Sequence, residues 1–399
     1  MTAPKGAPLV LLQSSDWHVG SALTGHGLSW PSELRAVRQF EIDGAAERAV
    51  RAAIEVEADG LLVPGDLWDA ECVPAATLHR LLEAFAAFAP RPVFIAPGNH
   101  DFAGPGGWYD PAVLSALGMR AWPDNVIVFR DSRWATVPFP GRPDVAVVGR
   151  AFPSAALAAE RPLAQSPAHP GTTHSLLLLH GSYEQYDGFD APTGGKRVAP
   201  FSRAELLAAG FSWAALGHHH HMQVVADDSG RPRAAYSGCP SGRGLDETGP
   251  RVFLKVTLDV EGTTVETLPA DSRLIREVAV DVGELEGREI AERVEAALDR
   301  SGATTADVVR ITLLGTQVYG SRASAALGAC ASRVAHLVIR DRTVRPTSDV
   351  PGVRTAEGRF IADLLARREQ AHDEAGRRVI DLALTLGRDA LAGRALVPP

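Results

Sequence analysis

Short apolar runs along the chain alternate with longer stretches in which apolar residues recur every three or four positions. The runs predict buried strands at 9–12, 61–63, 93–95, 175–179 and 214–216. The longer spacing predicts helices at about 33–57 and 75–88. Strands that alternate with helices in this way predict βαβ units and a largely parallel sheet.

The pattern changes near residue 270, where a second α/β segment begins. Its predicted elements are a strand at 277–282, a helix at 288–297, a strand at 308–314 and two charged helices within 356–392. We therefore predict three parts: a large α/β domain over 1–270, a small α/β domain over 271–345 and a helical segment over 346–399.

Composition narrows the class of protein. Of the 399 residues, 45% are hydrophobic and 22% are charged, as in ordinary soluble domains, which excludes a disordered or collagen-like chain. The three cysteines are scattered and form no CxxC pair. This spacing argues against a disulfide framework and a cysteine zinc site, and it favours a reducing cytoplasm. The apolar run at 9–12 is too short for a signal peptide or a membrane span.

Polar side chains that can bind metals follow the apolar strands. They are Asp16, His18, Asp66, Asn99, His100, His180, His218 and His220. Open α/β sheets bind ligands at the carboxyl ends of their strands, so we expect these side chains to meet there. Residues two apart in an extended chain point to the same side, so Asp16 with His18, and His218 with His220, are each predicted to bring two donors together.

The donor chemistry indicates a metal site. Carboxylate, imidazole and amide groups without thiolate suit manganese, iron or zinc. One aspartate between two ions can hold them about 3.5–4 Å apart, as two-metal hydrolysis requires. Each motif alone has a simpler interpretation: Asp-x-His occurs by chance, Gly65-Asp66 is typical of a turn, and a lone His180 is more often a core residue. Their joint occurrence at successive strand ends favours the metal site.

The order of these motifs resembles the calcineurin-like metallophosphoesterase family, whose pattern is D-x-H, GD-x-x-(D/H), GNH(D/E), a lone His and GH-x-H. The matching stretches here are 16–18, 65–69, 98–101, His180 and 217–220. Within that family the chain is similar to the bacterial SbcD and YhaO types of DNA exonuclease. The narrower resemblance rests on residues 15–20, 199–218 and 236–247, and it weakens beyond residue 270.

The resemblance implies a two-sheet α/β sandwich flanked by helices, with a small α/β capping domain and a helical C-terminal tail. It also implies two divalent metal ions, with manganese expected and iron, zinc or magnesium as alternatives. One ion would be held by Asp16, His18, Asp66 and His220. The other would be held by Asp66, Asn99, His180 and His218.

The resemblance assigns catalysis to His100 and Asp69. His100 would lie against the scissile phosphate and either stabilise the transition state or protonate the leaving oxygen. Asp69 stands where archaeal and eukaryotic nucleases of this group often carry a histidine. The bacterial SbcD type tends to have aspartate there, so activity is expected to survive. Cys239 replaces the usual serine of its stretch, and a packing role is expected for it.

As a protein of that nuclease type, the chain would hydrolyse DNA phosphodiesters, as an exonuclease and also as an endonuclease, in DNA repair. It would act in the cytoplasm, away from membranes, with a coiled-coil ATPase of the SbcC or YhaN type. A homodimer is compatible with the family. Apolar residues of the helical tail would bind this ATPase or pack on the chain's own core, and the sequence leaves both alternatives open.

Two other function classes compete with the nuclease. A phosphoesterase for a small-molecule or protein phosphate uses the same metal site. The net charge of −8 mildly favours it, because nucleic-acid binders are usually basic. The nuclease-like stretch at 236–247 and the residues beyond 270 oppose it. A non-catalytic scaffold is disfavoured because every motif residue is present.

Overall fold

The computed structural model describes residues 7–24, 27–69, 73–154, 160–186, 197–317, 323–344 and 355–391. The chain divides into two compact units, Met1–Arg276 and Glu277–Pro399. Of the three cysteines, Cys239 and Cys330 carry free, buried thiols, and Cys72 lies outside the described residues.

Strands and helices alternate over the described part of the first unit. The strands are β1 (Leu9–Gln13), β2 (Gly60–Val63), β3 (Val93–Ile95), β4 (Val126–Val128), β5 (Ala135–Phe139), β6 (Arg142–Gly149), β7 (His174–His180), β8 (Trp213–Gly217), β9 (Gln223–Ala226), β10 (Pro232–Tyr236), β11 (Val252–Leu258) and β12 (Thr263–Pro269). The helices are α1 (Ser32–Asp43), α2 (Ala45–Glu55), α3 (Ala75–Ala87), α4 (Pro111–Ala116) and α5 (Arg203–Ala208). The five predicted strands are confirmed.

Hydrogen bonds join these strands into two six-stranded sheets. Their orders are β12–β11–β1–β2–β3–β4 and β5–β6–β7–β8–β10–β9. The strands β1 to β4 are mutually parallel, as are β6, β7, β8 and β10. The predicted parallel βαβ arrangement is therefore confirmed, and each sheet carries antiparallel strands at its edges.

The two sheets pack face to face because their central strands are apolar on both sides. Leu9 and Leu11 of β1 lie in a buried cluster that Trp213 of the second sheet shares. Leu12 lies in a different cluster, with residues of α2 and α3. A third cluster joins Leu177 of β7 to α5. Each buried leucine contributes about 1.5–3 kcal/mol, and the predicted two-sheet sandwich flanked by helices is confirmed.

The helix predicted over 33–57 is in fact two helices, α1 and α2, which meet at Gly44. The two helices bury different amounts of their apolar surface. Phe40 on α1 is 66% exposed, whereas Ala45 and Ala49 on α2 are fully buried against the first sheet. A single periodic pattern was therefore the wrong interpretation. Glycine costs about 1 kcal/mol relative to alanine in a helix interior, which explains why the break falls there.

The second unit contains a small α/β core and a pair of helices. Its described elements are β13 (Ile275–Asp281), α6 (Gly287–Arg300), β14 (Val308–Leu314), a 3₁₀-helix (Ala323–Arg333), β15 (His336–Asp341), α7 (Ala356–Gln370) and α8 (Glu374–Leu391). The strands form one sheet in the order β13–β14–β15. The predicted strand, helix, strand and two final helices are confirmed. The predicted boundary between 345 and 346 lies outside the described residues, so the three-part division stays a prediction.

We also searched the described helices for a membrane span. None of them is both long enough and apolar enough to cross a lipid bilayer.

Candidate metal centre

The segment after β1 turns sharply toward the carboxyl end of the sheet. Asp16 and His18 have φ angles of 56° and 48°, in the left-handed region that few side chains adopt. Trp17 between them is buried, and its indole N–H donates to Ser14 Oγ at 2.7 Å. The expectation of an extended Asp-x-His segment is therefore wrong. Positive φ angles, rather than strand alternation, bring the two side chains to one point.

The segments after β1 and β2 run side by side and hold each other in place. The N–H of Asp16 donates to Gly65 O at 3.0 Å, and that of His18 donates to Asp66 O at 3.1 Å. Gly65 has a φ of 91°, and a Cβ there would lie 2.7 Å from His180 Nδ1. Only glycine fits this position, because both the backbone angle and the close approach exclude a side chain.

Asp101 fixes the segment that carries Asp66. Its Oδ1 accepts the N–H of Asp66 at 2.9 Å and that of Gly98 at 2.6 Å. Its Oδ2 accepts the N–H of Leu67 at 3.0 Å and the hydroxyl of Tyr109 at 2.7 Å. One buried carboxylate therefore joins the segments that follow β2 and β3. Sequence analysis gave Asp101 no role, although it is the last residue of the Gly-Asn-His-Asp motif.

The Asp101→Asn variant is expected to lose about 2–4 kcal/mol of unfolding free energy. An amide group must point its NH₂ at backbone N–H donors, which leaves at least one buried donor unpaired at a cost of about 1–3 kcal/mol. The neighbouring bonds to the same side chain weaken as well. Urea denaturation measures the loss, with Asp110→Asn on the exposed side of the same segment as the control. A difference below about 0.5 kcal/mol would contradict this role.

One group of donors contains Asp16, His18 and His220, whose ligand atoms all lie within 4.8 Å of one another. The Nε2 atoms of His18 and His220 are 3.2 Å apart. Asp66 Oδ2 lies 3.9 Å from His18 Nε2. These are the four residues that were predicted for one metal ion. Their assignment as its ligands stays a prediction.

The second group lies on the other side of Asp66. Asp66 Oδ2 is 3.3 Å from His180 Nε2, which is also 3.0 Å from Asn99 Oδ1. The rings of His180 and His218 are 5.3 Å apart. The four residues predicted for the other ion are therefore neighbours. His218 and His220 contact different groups, because His218 has a φ of 109° and the chain turns between them. That they bring their donors together at one site stays a prediction.

Burial and charge set the protonation of these donors. Burial lowers the pKa of His18 to about 3 and holds the pKa of His218 well below its ordinary value, so both rings are neutral. Burial raises the pKa of Asp16 to about 6. Burial also opposes charge on His180 and Asp66, but their attraction is stronger: the pKa of His180 rises to about 9 and that of Asp66 falls well below its ordinary value.

This cluster fits divalent metal ions. Two imidazole nitrogens that face each other inside a buried site have opposed lone pairs unless a proton or a cation lies between them, and His18 and His220 are so arranged. Two carboxylates, Asp16 and Asp66, are completely or almost completely buried beside them. Neutral imidazole and ionised carboxylate are the forms that bind metals, so a metal ion at His180 would replace the proton that the raised pKa of this ring retains. Asp66 lies between both groups, where a shared ligand is required.

His100 lies at the exposed edge of the cluster. Its side chain is 45% exposed, and its Nδ1 is 2.7 Å from Asp69 Oδ1. Its backbone N–H donates to Asp66 Oδ1 at 3.0 Å. The negative charge of Asp66 and the hydrogen bond to Asp69 outweigh burial and raise the pKa of His100 to about 9. His100 is therefore protonated at neutral pH, with Nε2 available to a substrate. Its catalytic role, and that of Asp69, stays a prediction.

A buried ion pair, formed by Arg243 and Glu247, links His220 to Asp69. Glu247 Oε1 is 2.8 Å from His220 Nδ1. Arg243 donates to Glu247 through Nε at 3.0 Å, and its guanidinium lies 3.5 Å from Asp69 Oδ2. Arg243 and Glu247 are 3% and 2% exposed. Sequence analysis cited Glu247 within a nuclease-like stretch but gave neither residue a role. The side chains meet only in the folded chain.

The Glu247→Gln variant is expected to bind manganese about 10- to 100-fold more weakly, because carboxylates that orient a metal-binding histidine have effects of that size. The charge of Arg243 also loses its buried partner, which costs about 3–5 kcal/mol of unfolding free energy. Manganese titration and denaturation measure both effects. Glu83→Gln is the control, since Glu83 is 61% exposed on α3. Unchanged manganese affinity would contradict the orienting role.

His219 does not join the donors. Its ring stacks on Tyr186 with centroids 3.7 Å apart, and its Nε2 accepts the N–H of Tyr183 at 3.2 Å. The ring of His219 therefore points away from the two donor groups. Cys239 is buried, and burial raises the pKa of its thiol to about 12, which keeps it protonated and fits the expected packing role.

Comparisons with known proteins agree with this geometry. Residues 9–222 match the model of the calcineurin-like phosphoesterase family. The chain is similar to an uncharacterized metallophosphoesterase, YhaO of Bacillus subtilis (strain 168), with 27% identity over 327 residues, which are 77% of this chain and 72% of that protein.

Two solved structures were also compared. One is a dimetal phosphatase from Danio rerio, with 13% identity, a TM-score of 0.39 and coverage of 66% of this chain and 96% of that chain. The other is a protein from Thermus thermophilus, with 12% identity, a TM-score of 0.36 and coverage of 66% of this chain and 100% of that chain. The family model matches more than half of the 399 residues. The chain therefore belongs to the calcineurin-like phosphoesterase family, whose members are metal-dependent phosphoester hydrolases.

Proposed function

We propose that this chain is a metal-dependent DNA nuclease that hydrolyses phosphodiester bonds in DNA repair, as an exonuclease and also as an endonuclease. The observation that carries the proposal is the pair of donor groups on either side of Asp66, with His100 at their exposed edge. Manganese is the proposed metal, and the cytoplasm is the proposed compartment.

Two ions would be held by the residues described above. Asp16, His18 and His220 would hold one, Asn99, His180 and His218 would hold the other, and Asp66 would contact both. Divalent metals at such a site polarise the phosphoryl oxygens and supply a nucleophile at neutral pH. The chain's own part is to fix their spacing. Asp101 and Glu247 do this by holding Asp66 and His220 in one orientation.

His100 would donate its proton to the leaving oxygen. Asp69 accepts from Nδ1 and fixes the ring, so Nε2 faces the substrate. The hydrogen bond to Asp69 favours the protonated ring, and the Nε2 proton would pass to the leaving oxygen as charge develops there. Hydrogen bonds from His100 and His18, with a smaller contribution from the charge of Arg243, outweigh burial and hold the pKa of Asp69 well below its ordinary value, which keeps Asp69 an acceptor.

One observation beyond the motif residues supports DNA as the substrate. Glu247 and Arg243 belong to the stretch at 236–247 that resembles the SbcD and YhaO nucleases, and both contact the candidate centre. A small-molecule phosphoesterase needs only the motif residues themselves.

The last two helices support an ATPase partner of the SbcC or YhaN type. Ile361 on α7 and Leu384 on α8 are buried, so part of the apolar surface packs within the chain. Val379, Leu382 and Leu391 on α8 remain 66%, 38% and 51% exposed. Packing within the chain accounts for the buried residues, and the proposed partner contact concerns the exposed ones. An exposed apolar face on a helix is the surface that a partner helix recognises.

Arginines of the second unit would contact the DNA backbone. Arg340 and Arg342 are exposed, whereas Arg333 already pairs with Asp299. Arg345 and Arg354 lie outside the described residues. Contact with phosphates rather than bases gives binding that does not depend on sequence.

A nuclease assay on end-labelled linear and hairpin DNA tests the proposal. Purified protein with manganese is expected to cut both substrates, and the His100→Ala variant is expected to leave them intact. Bis-p-nitrophenyl phosphate is measured in parallel. Hydrolysis of this small diester with intact DNA, even when the ATPase is supplied, would favour a small-molecule phosphoesterase and overturn the nuclease.

A further inference from the structure

A cavity of about 570 Å³ begins at His100 and extends away from the donor cluster. Its volume falls within the range of roughly 300–1,000 Å³ that small-ligand sites occupy. His100 is both a lining residue and the neighbour of Asp69 and Asp66 in the candidate centre. A group in this cavity would therefore be directly adjacent to a phosphate placed at the metals.

Aromatic side chains form much of the lining. Trp68 is buried and packs on Tyr109 with ring centroids 4.6 Å apart, which makes a rigid floor. Trp108 and Phe102 also line the cavity, and Phe102 is 38% exposed. An exposed phenyl ring beside a catalytic site offers a flat face on which a nucleobase can stack. Val113 of α4 adds an aliphatic wall.

The lining has little capacity to select among bases. The two oxygens of Asp101 together already accept four hydrogen bonds, so this carboxylate is not free to bind a base. Gly106 and Gly107 contribute no side chains at the rim. Stacking on aromatic rings is tolerant of sequence because every base has a π face.

The cavity is preformed, because its loop is tied at several points. Tyr109 donates to Asp101 at 2.7 Å, and the N–H of Ala103 donates to Phe152 O at 2.7 Å. A Cβ at Gly104 would lie 2.6 Å from Pro153 O, so the chain is closely packed there. A loop that is already ordered loses little entropy when a ligand binds.

We propose that this cavity is a nucleoside subsite: it takes the base and sugar attached to the scissile phosphate, with the base stacked on Phe102. The proposal rests on the nuclease function and names a site for one part of its substrate. Stacking of this kind would distinguish a nucleotide ester from a simple phosphate ester whatever the base.

Competitive inhibition tests the subsite. Thymidine 5′-monophosphate, thymidine 3′-monophosphate and inorganic phosphate are each measured as inhibitors of manganese-dependent bis-p-nitrophenyl phosphate hydrolysis. In the wild-type protein, at least one nucleotide is expected to bind more tightly than phosphate. Phe102→Ala is expected to weaken the binding of that nucleotide roughly 5- to 150-fold, which is the fold-change that corresponds to the loss of base stacking. The inhibition constant of phosphate should stay unchanged.

The inhibition constant of the nucleotide is divided by that of phosphate for each variant, because partial unfolding affects both measurements in the same way. Phe102→Trp keeps an aromatic face and should restore nucleotide binding. Phe40→Ala, at a phenylalanine on α1 that is 66% exposed and does not line the cavity, should change neither constant. An equal loss for phosphate and nucleotide, or no loss at all, would overturn the subsite. The subsite would also be overturned if Phe102→Ala changed the oligomeric mass of the protein but left the ratio of the nucleotide and phosphate inhibition constants unchanged. Phe102 would then be assigned to a contact between copies of the chain.

Failure of the nuclease function gives a different result. If DNA stays intact while Phe102→Ala still weakens nucleotide binding selectively, the subsite stands and the substrate is a small nucleotide diester. If DNA is cut while the ratio is unchanged in Phe102→Ala, the nuclease stands and the subsite does not.

Discussion

The Asp66→Asn variant is expected to lose nearly all metal-dependent hydrolysis, with kcat/KM lower by about a thousandfold or more. Asp66 lies between the two donor groups, 3.3 Å from His180 and 3.9 Å from His18. A bound metal supplies several kcal/mol of transition-state stabilisation, and each 1.4 kcal/mol or so is tenfold in rate. Asparagine removes the charge that both ions would share. The rate with bis-p-nitrophenyl phosphate and manganese measures the loss.

The fold should survive this change. The amide oxygen of asparagine can still accept the N–H of His100, which Asp66 Oδ1 accepts at 3.0 Å. Asp131→Asn is the matched control, because Asp131 is 52% exposed and pairs with Arg133 on the surface. Near-normal activity of Asp66→Asn at saturating manganese would contradict a shared ligand at this position.

The His100→Ala variant is expected to keep its metals and to lose about 10²- to 10⁴-fold in kcat, the usual contribution of a general acid. The size of the loss should depend on the leaving group. p-Nitrophenolate leaves readily without a proton, whereas the alkoxide of a nucleotide does not. The loss should therefore be larger for DNA than for bis-p-nitrophenyl phosphate. Parallel rates and metal content for the two substrates check this.

An equal loss for both substrates would show that His100 stabilises charge on the phosphate rather than protonating the leaving oxygen. Loss of metal would show instead that His100 supports the ligands. His79→Ala serves as the control, because His79 is 48% exposed on α3 and matches the exposure of His100. Its kinetics should equal those of the wild type.

The sequence predicted the layers and the donor residues for physical reasons. Strands such as β1 and β7 carry runs of four apolar residues because they are buried on both faces, and this pattern is visible in a single sequence. The donors of the candidate centre are found because few residue types bind metals. The break at Gly44 was not predicted, because apolar residues at helical spacing on both sides of it predict one continuous helix.

The shape of the site could not be predicted in the same way. The positive φ angles of Asp16 and His18 depend on hydrogen bonds to the segment after β2, which local sequence does not specify. Asp69 and Arg243 are 174 residues apart in the chain, and their contact exists only after both sheets are assembled. The sequence therefore identified the donor residues that the fold brings together around Asp66, but it missed Asp101, Glu247 and Arg243, which contact them.

The most direct test of the dimetal centre is anomalous diffraction at the manganese edge from crystals grown with manganese. Two peaks about 3.5–4 Å apart are expected on either side of Asp66, one near His18 and His220 and the other near His180 and His218. One peak, or peaks remote from Asp66, would contradict the dimetal site on which the proposed hydrolysis depends.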